Sequence, residues 1–239
     1  MSPELWVVLP VYNERESIEA VLREWLPVLR SHTQRLAVCV LNDGSRDDTL
    51  SVLRKLEPEF PELVLVDKPN SGHGQTCVEG YRRGVDAGAE WIFQIDSDGQ
   101  CDPRYFAELW QARHAAAVVY GFRRQRDDGW HRLAMSRVMS AVGFFSFGVW
   151  SRDANVPYRL MRRDVLASVL PQVPADFVLA NVLVALLQQR QFEVCWRPIG
   201  FRRRSGGVAS VRALAFAERG LQLYRQLRRA RATTARRAD

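Results

Sequence analysis

Lysine is almost missing from this chain. Lys55 and Lys68 are the only two among 34 basic residues, so nearly all the positive charge is arginine. The guanidinium group favours planar, bidentate contact with phosphate and carboxylate. With a net charge of +7, this points to a phosphate-bearing partner: a nucleotide, a nucleic acid or an anionic membrane face. Cysteine is scarce as well. Cys39, Cys77, Cys101 and Cys195 form no C-x-x-C pair and have no histidine at metal-ligand spacing, which fits a reduced, cytoplasmic setting. The opening MSPELWVVLP lacks the charged-then-apolar pattern of a secretory signal. No window reaches the roughly 20 uninterrupted apolar residues of a membrane-spanning helix. G-x-G-x-x-G spacing is absent, and so is any internal repeat.

What is present centres on residues 91–103, WIFQIDSDGQCDP. Trp91, Ile92, Phe93 and Ile95 suit a buried strand. Asp96 and Asp98 follow on a turn bent by Gly99. Side chains two apart on an extended chain point the same way, so the two carboxylates project together and repel unless a cation lies between them. Mg²⁺ or Mn²⁺ is the natural occupant, with the Gln100 amide oxygen as a possible third ligand. The competing reading is a solvated turn in which Asp102 is an N-cap and Pro103 the first residue of a helix.

The flanking segments alternate in period. Residues 5–9, 36–41, 63–66, 91–95 and 117–120 read as buried strands, the first ended by Pro10. Helical patterns lie between them, the first capped by Asn13 and carrying Ile18, Val21, Leu22, Trp25 and Leu26. This order predicts an α/β fold with a mostly parallel central sheet and helices on both faces. Every strand runs into a polar turn (PVYNE, NDGS, KPNSGHG, DSDGQ, GFRR), so the loops converge on one sheet edge, where a ligand would lie. The glycines of the third loop, Gly72 and Gly74, and Gly80 beyond it read as turn residues with positive φ.

The second half differs. Residues 121–130 are polar and arginine-rich, a loop that orders over a ligand or a solvated connection. Residues 138–150, VMSAVGFFSFGVW, carry no charge and are bounded by Arg137 and Arg152. A helix apolar on nearly all sides is buried or lies in a lipid interface. Residues 155–161 read as a strand containing Arg159, after Asp153. A final strand over 192–199 leads into Arg202, Arg203 and Arg204 beside Ser205-Gly206-Gly207, a setting suited to anion capture. From Val211 an apolar-striped helix passes into RRARATTARRAD, a tail expected to be disordered and able to lie on anionic lipid. The chain thus divides into a domain over 1–210 and a helix with an arginine-rich tail over 211–239.

LPVYNERESI, VLNDGSRDDT, NSGHGQTCVEG, IDSDGQ, DANVPYRLMRRDVL and RRRSGGVAS, in that order, resemble the inverting glycosyltransferases of GT-A fold. The branch they are most similar to holds dolichol-phosphate mannosyltransferase and the bacterial polyprenyl-phosphate glycosyltransferases. The resemblance implies that Pro10, Tyr12, Glu14 and Asp43 line a nucleotide base, and that Asp96, Asp98 and Gln100 form the metal and diphosphate site. It puts Arg123 near the phosphates, Asp153 and Arg159 in an acceptor-side motif, and Arg204 with Gly207 and Ser210 in a loop that closes over the diphosphate. Asn42, Pro157 and Val211 depart from the pattern, which more commonly has Asp, Gly and a basic residue there.

The implied reaction moves a sugar from a nucleotide-sugar donor to a polyprenyl-phosphate acceptor, with Mg²⁺ or Mn²⁺ stabilising the departing diphosphate. A phosphate acceptor arrives as an anion and needs no general base. An alcohol acceptor would need one, and Asp153 is the candidate. The expected location is the cytoplasmic side of a membrane, on its anionic inner surface, with a separate integral membrane protein as a possible partner. A nucleotidyltransferase would want a basic glycine-rich loop after the first strand, where PVYNE is acidic. A nucleic-acid partner would want arginines interleaved with exposed aromatics on one face. Here they are scattered through loops, so no nucleic acid is expected.

Overall fold

A computed structural model describes residues 1–123, 148–153 and 155–202. Elements below are numbered within that set. β1 (Leu5–Val11), β2 (Leu36–Asp43), β3 (Leu63–Lys68) and β4 (Trp91–Gln94) alternate with α1 (Ile18–Arg30), α2 (Thr49–Leu56) and α3 (His73–Asp86). A 3₁₀ turn at Pro103–Tyr105 leads into α4 (Phe106–Ala112) and β5 (Val118–Arg123). Then come β6 (Arg159–Arg162), α5 (Arg163–Val169), α6 (Ala180–Gln191) and β7 (Cys195–Ile199). The sheet runs β3-β2-β1-β4-β6-β5-β7. All neighbours are parallel except β6, which is antiparallel to both β4 and β5. Its reversal brings the start of β6, not its end, to the edge where β1, β2 and β4 finish.

Both faces of the sheet are covered, so its strands read as continuous apolar runs rather than alternating ones. Leu5, Val7, Leu9 and Val11 join Trp25, Phe93 and Phe106 on one side. Trp6 and Val8 join Tyr81, Ile92 and the wholly apolar turns of α6 on the other. Gly80 belongs to this second packing and not to a turn. It lies inside α3, where an added Cβ would come within 2.4 Å of Val8 Cγ1. Helix and strand meet that closely only because glycine is there. Of the three glycines read as turn residues, only Gly72 has positive φ (83°).

Most strand ends differ from the expectation by a few residues, β7 starting at Cys195 rather than at 192, and three differences have a physical reason. β1 continues through Pro10 to Val11. Pro10 turns its backbone toward the β4 side, where its carbonyl accepts from Ser97 Oγ at 2.9 Å beyond the end of the β4 ladder, so its missing N–H costs no sheet bond. Asn13 does not cap α1. Ser17 occupies the N-cap position without a side-chain capping bond, while Asn13 has φ 55° and its side chain accepts from Arg46 N at 2.8 Å. The strand expected over 155–161 is confined to β6, because the turn before it is spent positioning Asp153. The expected tail helix, and residues 138–147 of the uncharged run, lie outside the described residues. Trp150, at the end of that run, is 65% exposed.

Candidate active site

The loops after β1 to β4 are stitched to one another. Ser97 Oγ donates to Pro10 O, and Ser17 Oγ donates to Ser97 O at 3.2 Å. Asn13 N donates to Ser45 Oγ, and Glu14 N to Thr49 Oγ1 at 2.9 Å. These bonds tie the first loop to the second and fourth. Tyr12 stands at this edge with 39% of its surface exposed. Glu14 is turned inward, buried, with its carboxylate accepting from Ser17 Oγ at 2.6 Å.

Asp43 is the strut of the adjoining corner. Its Oδ1 accepts from Lys68 Nζ and from Ser71 N (2.8 Å), and its Oδ2 accepts from Gly72 N (3.0 Å). Burial alone would raise its pKa, but Lys68 and these donors outweigh burial and hold it below the ordinary value. The carboxylate expected to face a nucleotide base is therefore also what shapes the 69–72 loop. Lys68 was not singled out by its sequence context, although its rarity was a signal: it is one of two lysines and sits at the very end of a strand.

Asp96 and Asp98 follow the end of β4 on a turn. Both are half-exposed while Ser97 between them is buried. Asp98 Oδ1 accepts from Gln100 N at 3.1 Å, which closes the turn. Asp96 presents two different edges. Its Oδ1 is buried without a hydrogen bond, yet its side chain is 29% exposed. His73 Nε2 lies 3.7 Å from Asp96 Oδ1 and 3.6 Å from Cys77 Sγ. Burial raises the Asp96 pKa, His73 and Arg159 oppose this, and Asp98 adds to the rise. The His73 side chain is 47% exposed, so desolvation lowers its pKa little, and the neighbouring Cys77 and Asp96 shift it above the ordinary value. Sequence reading passed over His73 because its partner Asp96 is two elements away.

A divalent cation fits this pair. Two hard carboxylates stand two residues apart on one turn, both part-exposed, and Asp98 disfavours the charge of Asp96. Among the described residues no third His, Cys, Asp or Glu completes a cage. That suits an ion held by one or two carboxylates and completed by phosphates and water. Gln100 Nε2 donates to Arg202 O at 3.2 Å, so its nitrogen rather than its oxygen is engaged.

The acceptor-side residues separate into two layers. Arg123, at the end of β5, grips Asp153 through Nε–Oδ2 (2.7 Å) and Nη2–Oδ1 (2.9 Å), and lies 5.2 Å from the Phe201 ring centroid. Asp153 is 2% exposed. Arg159 is fully buried beneath them, donating to Val156 O (2.9 Å) and to Asn181 O (2.5 Å) over the ring of Tyr120. Arg202 is committed to Asp102 (2.8 Å) and Glu24 (2.6 Å), so of the three arginines read as anion-capturing this one is a structural tie. Arg204 lies outside the described residues. Asp102 caps the 3₁₀ turn through Arg104 N, with Pro103 beside it, as the turn reading expects, although Asp102 is buried and not solvated.

Residues 6–170 match the family model described as Glycosyl transferase family 2. A polyprenol monophosphomannose synthase of Mycolicibacterium smegmatis is 27% identical over 215 residues, 86% of this chain and 80% of that protein. An undecaprenyl-phosphate 4-deoxy-4-formamido-L-arabinose transferase of Serratia proteamaculans is 26% identical over 167 residues, 69% of this chain; this chain spans 50% of its length. Among solved structures, the Mycobacterium tuberculosis glucosyl-3-phosphoglycerate synthase in complex with Mn²⁺, uridine diphosphate and phosphoglyceric acid aligns at a TM-score of 0.67. It is 18% identical and covers 96% of this chain and 78% of its own.

Proposed function

The chain belongs to glycosyl transferase family 2 and is a glycosyltransferase of GT-A fold; from that premise we propose that it moves a sugar from a nucleotide-sugar to a polyprenyl phosphate at a membrane surface. The bidentate grip of Arg123 on a 2%-exposed Asp153 carries this reading. A carboxylate so committed orients a guanidinium and is poorly placed to take a proton. An acceptor that arrives already ionised asks for the first and not the second. The relatives named for polyprenol and undecaprenyl phosphate support the same choice.

In this reading Tyr12, with Pro10, Glu14 and Asp43 shaping the corner behind it, receives the nucleotide. Asp96 and Asp98, with Gln100 as a third candidate, hold Mg²⁺ or Mn²⁺. When bound, the ion offsets the negative charge that develops on the leaving diphosphate. Arg123 faces phosphate with its direction fixed by Asp153, and Arg159 holds the acceptor segment from beneath. Arg204, two positions after Arg202 in the sequence, is assigned to the diphosphate. We place the catalytic domain within 1–210 and assign membrane contact to the uncharged run and the 211–239 segment. No helix among the described residues is long and apolar enough to cross a membrane, which fits peripheral attachment, alone or through a separate integral membrane protein.

The test is a screen of nucleotide-sugars with Mn²⁺ or Mg²⁺, with and without a polyprenyl phosphate. Transfer to the lipid phosphate is expected. Transfer only to sugar alcohols would overturn the acceptor assignment.

A further inference from the structure

Beneath the Asp96–Asp98 turn a row of polar side chains crosses the sheet on its α3–α6 face. Gln94 on β4 pairs directly with Arg159 on β6, which pairs with Tyr120 on β5. All three are fully buried. Tyr81 of α3 donates its hydroxyl to Gln94 Oε1, and Tyr120 donates to Gln188 Oε1 on α6. Polar groups at this depth are costly unless they are paired, and an apolar residue at position 94 would match the neighbouring Ile92 and Val8. The observations at Gln94 therefore need a reason beyond packing.

Two of the buried atoms without a hydrogen bond are complementary. Gln94 Nε2 is a donor and Asp96 Oδ1 an acceptor. The residues are two apart on an extended segment, so they share a side of the sheet. Tyr81 holds Gln94 Oε1, which leaves the amide nitrogen as the group turned the other way.

We propose that Gln94 is a positioning residue for the cation site: held by Tyr81, it presents its amide to the inward oxygen of Asp96 and fixes the orientation in which the outer edge of that carboxylate meets a divalent ion. This rests on the cation reading of Asp96 and Asp98. Groups that hydrogen-bond a ligating carboxylate set its direction, and their loss commonly weakens metal binding about 10- to 100-fold.

The test is Mn²⁺ titration of the full chain, read by electron paramagnetic resonance of the free ion, alone and with UDP or GDP. Wild type, Asp96→Asn, Gln94→Leu and Tyr81→Phe are compared, each with a thermal melt. Expected are binding by wild type and its loss in Asp96→Asn. Gln94→Leu should bind about 10- to 100-fold more weakly while remaining folded, with a lower melting temperature because the buried Tyr81 hydroxyl loses its acceptor, and Tyr81→Phe should weaken binding in the same direction by a smaller factor. Wild-type affinity in a folded Gln94→Leu overturns the proposal and leaves the cation reading standing. If Gln94→Leu does not fold, wild-type affinity in Tyr81→Phe overturns it. A wild-type chain that binds no Mn²⁺ under any of these conditions overturns both.

Discussion

Arg123 and Asp153, 30 residues apart, meet fork to fork, with both guanidinium–carboxylate hydrogen bonds under 3 Å. A planar pair of this kind fixes direction as well as distance. It joins the last strand before one loop to the segment that enters the antiparallel strand β6.

The first prediction separates orientation from proton transfer. Asp153→Asn leaves the size and shape of the side chain but loosens Arg123. Transfer to a polyprenyl phosphate should fall about 100-fold, the scale expected for a misdirected group. The pH–rate profile should keep its shape. Disappearance of an acid limb in the variant would instead identify Asp153 as the base.

The cation site makes a second prediction. Asp98→Asn should lower turnover by about 100- to 1,000-fold, the range for removal of a charge-stabilising group, with a melting temperature close to wild type. A chelator should abolish activity, and added Mn²⁺ or Mg²⁺ should restore it. Full turnover in the chelated enzyme would remove the ion from the reaction.

Asp43 links stability to acidity. Its pKa is lower folded than unfolded. Its contribution is therefore fully present above the ordinary aspartate range and is lost as pH falls through the lowered folded value. Asp43→Ala strips Lys68 of its buried partner, at a cost of about 3 kcal/mol near pH 7. Urea unfolding should show that gap narrowing once pH drops below about 4. A gap constant with pH would mean the loss is packing alone.

Gly74→Ala tests the contact between α3 and the segment before α6. The new Cβ would sit 2.6 Å from Val178 O and 2.7 Å from Ala180 N, both backbone atoms. The clash should cost about 2 kcal/mol, seen as a lower melting temperature, and should displace His73 from Asp96. An unshifted melt would mean the two segments separate freely.

The parts of this molecule that could be read in advance are those set by local chemistry. The Asp102 cap and the burial of β1, β2 and β4 follow from residues within a few positions of each other, whereas β3, read as a buried strand, lies at the sheet edge with only Leu63 buried. Pro10 misled because its effect depends on where β4 ends, a fact of the neighbouring strand. Asn13 looked like a cap, but the four residues to Ser17 form a turn that reaches the second loop instead. Arg202 looked like an anion ligand until Glu24 and Asp102, each about 100 residues or more away, proved to be its partners. Gln94 drew no notice because an amide in an apolar strand has meaning only beside Tyr81 and Asp96.

The reversed direction of β6 has a consequence for how such an enzyme can change. On the assignment proposed above, donor-side residues leave the sheet on strand exits, whereas Asp153 reaches the same rim on a strand entrance. On that assignment the two halves of the reaction are carried by separate stretches of chain, although their strands β4 and β6 pair side by side within the sheet. A new acceptor can be accommodated by redrawing the entrance while the exits keep their grip on the nucleotide, which makes the segment leading into β6 the natural place to graft one.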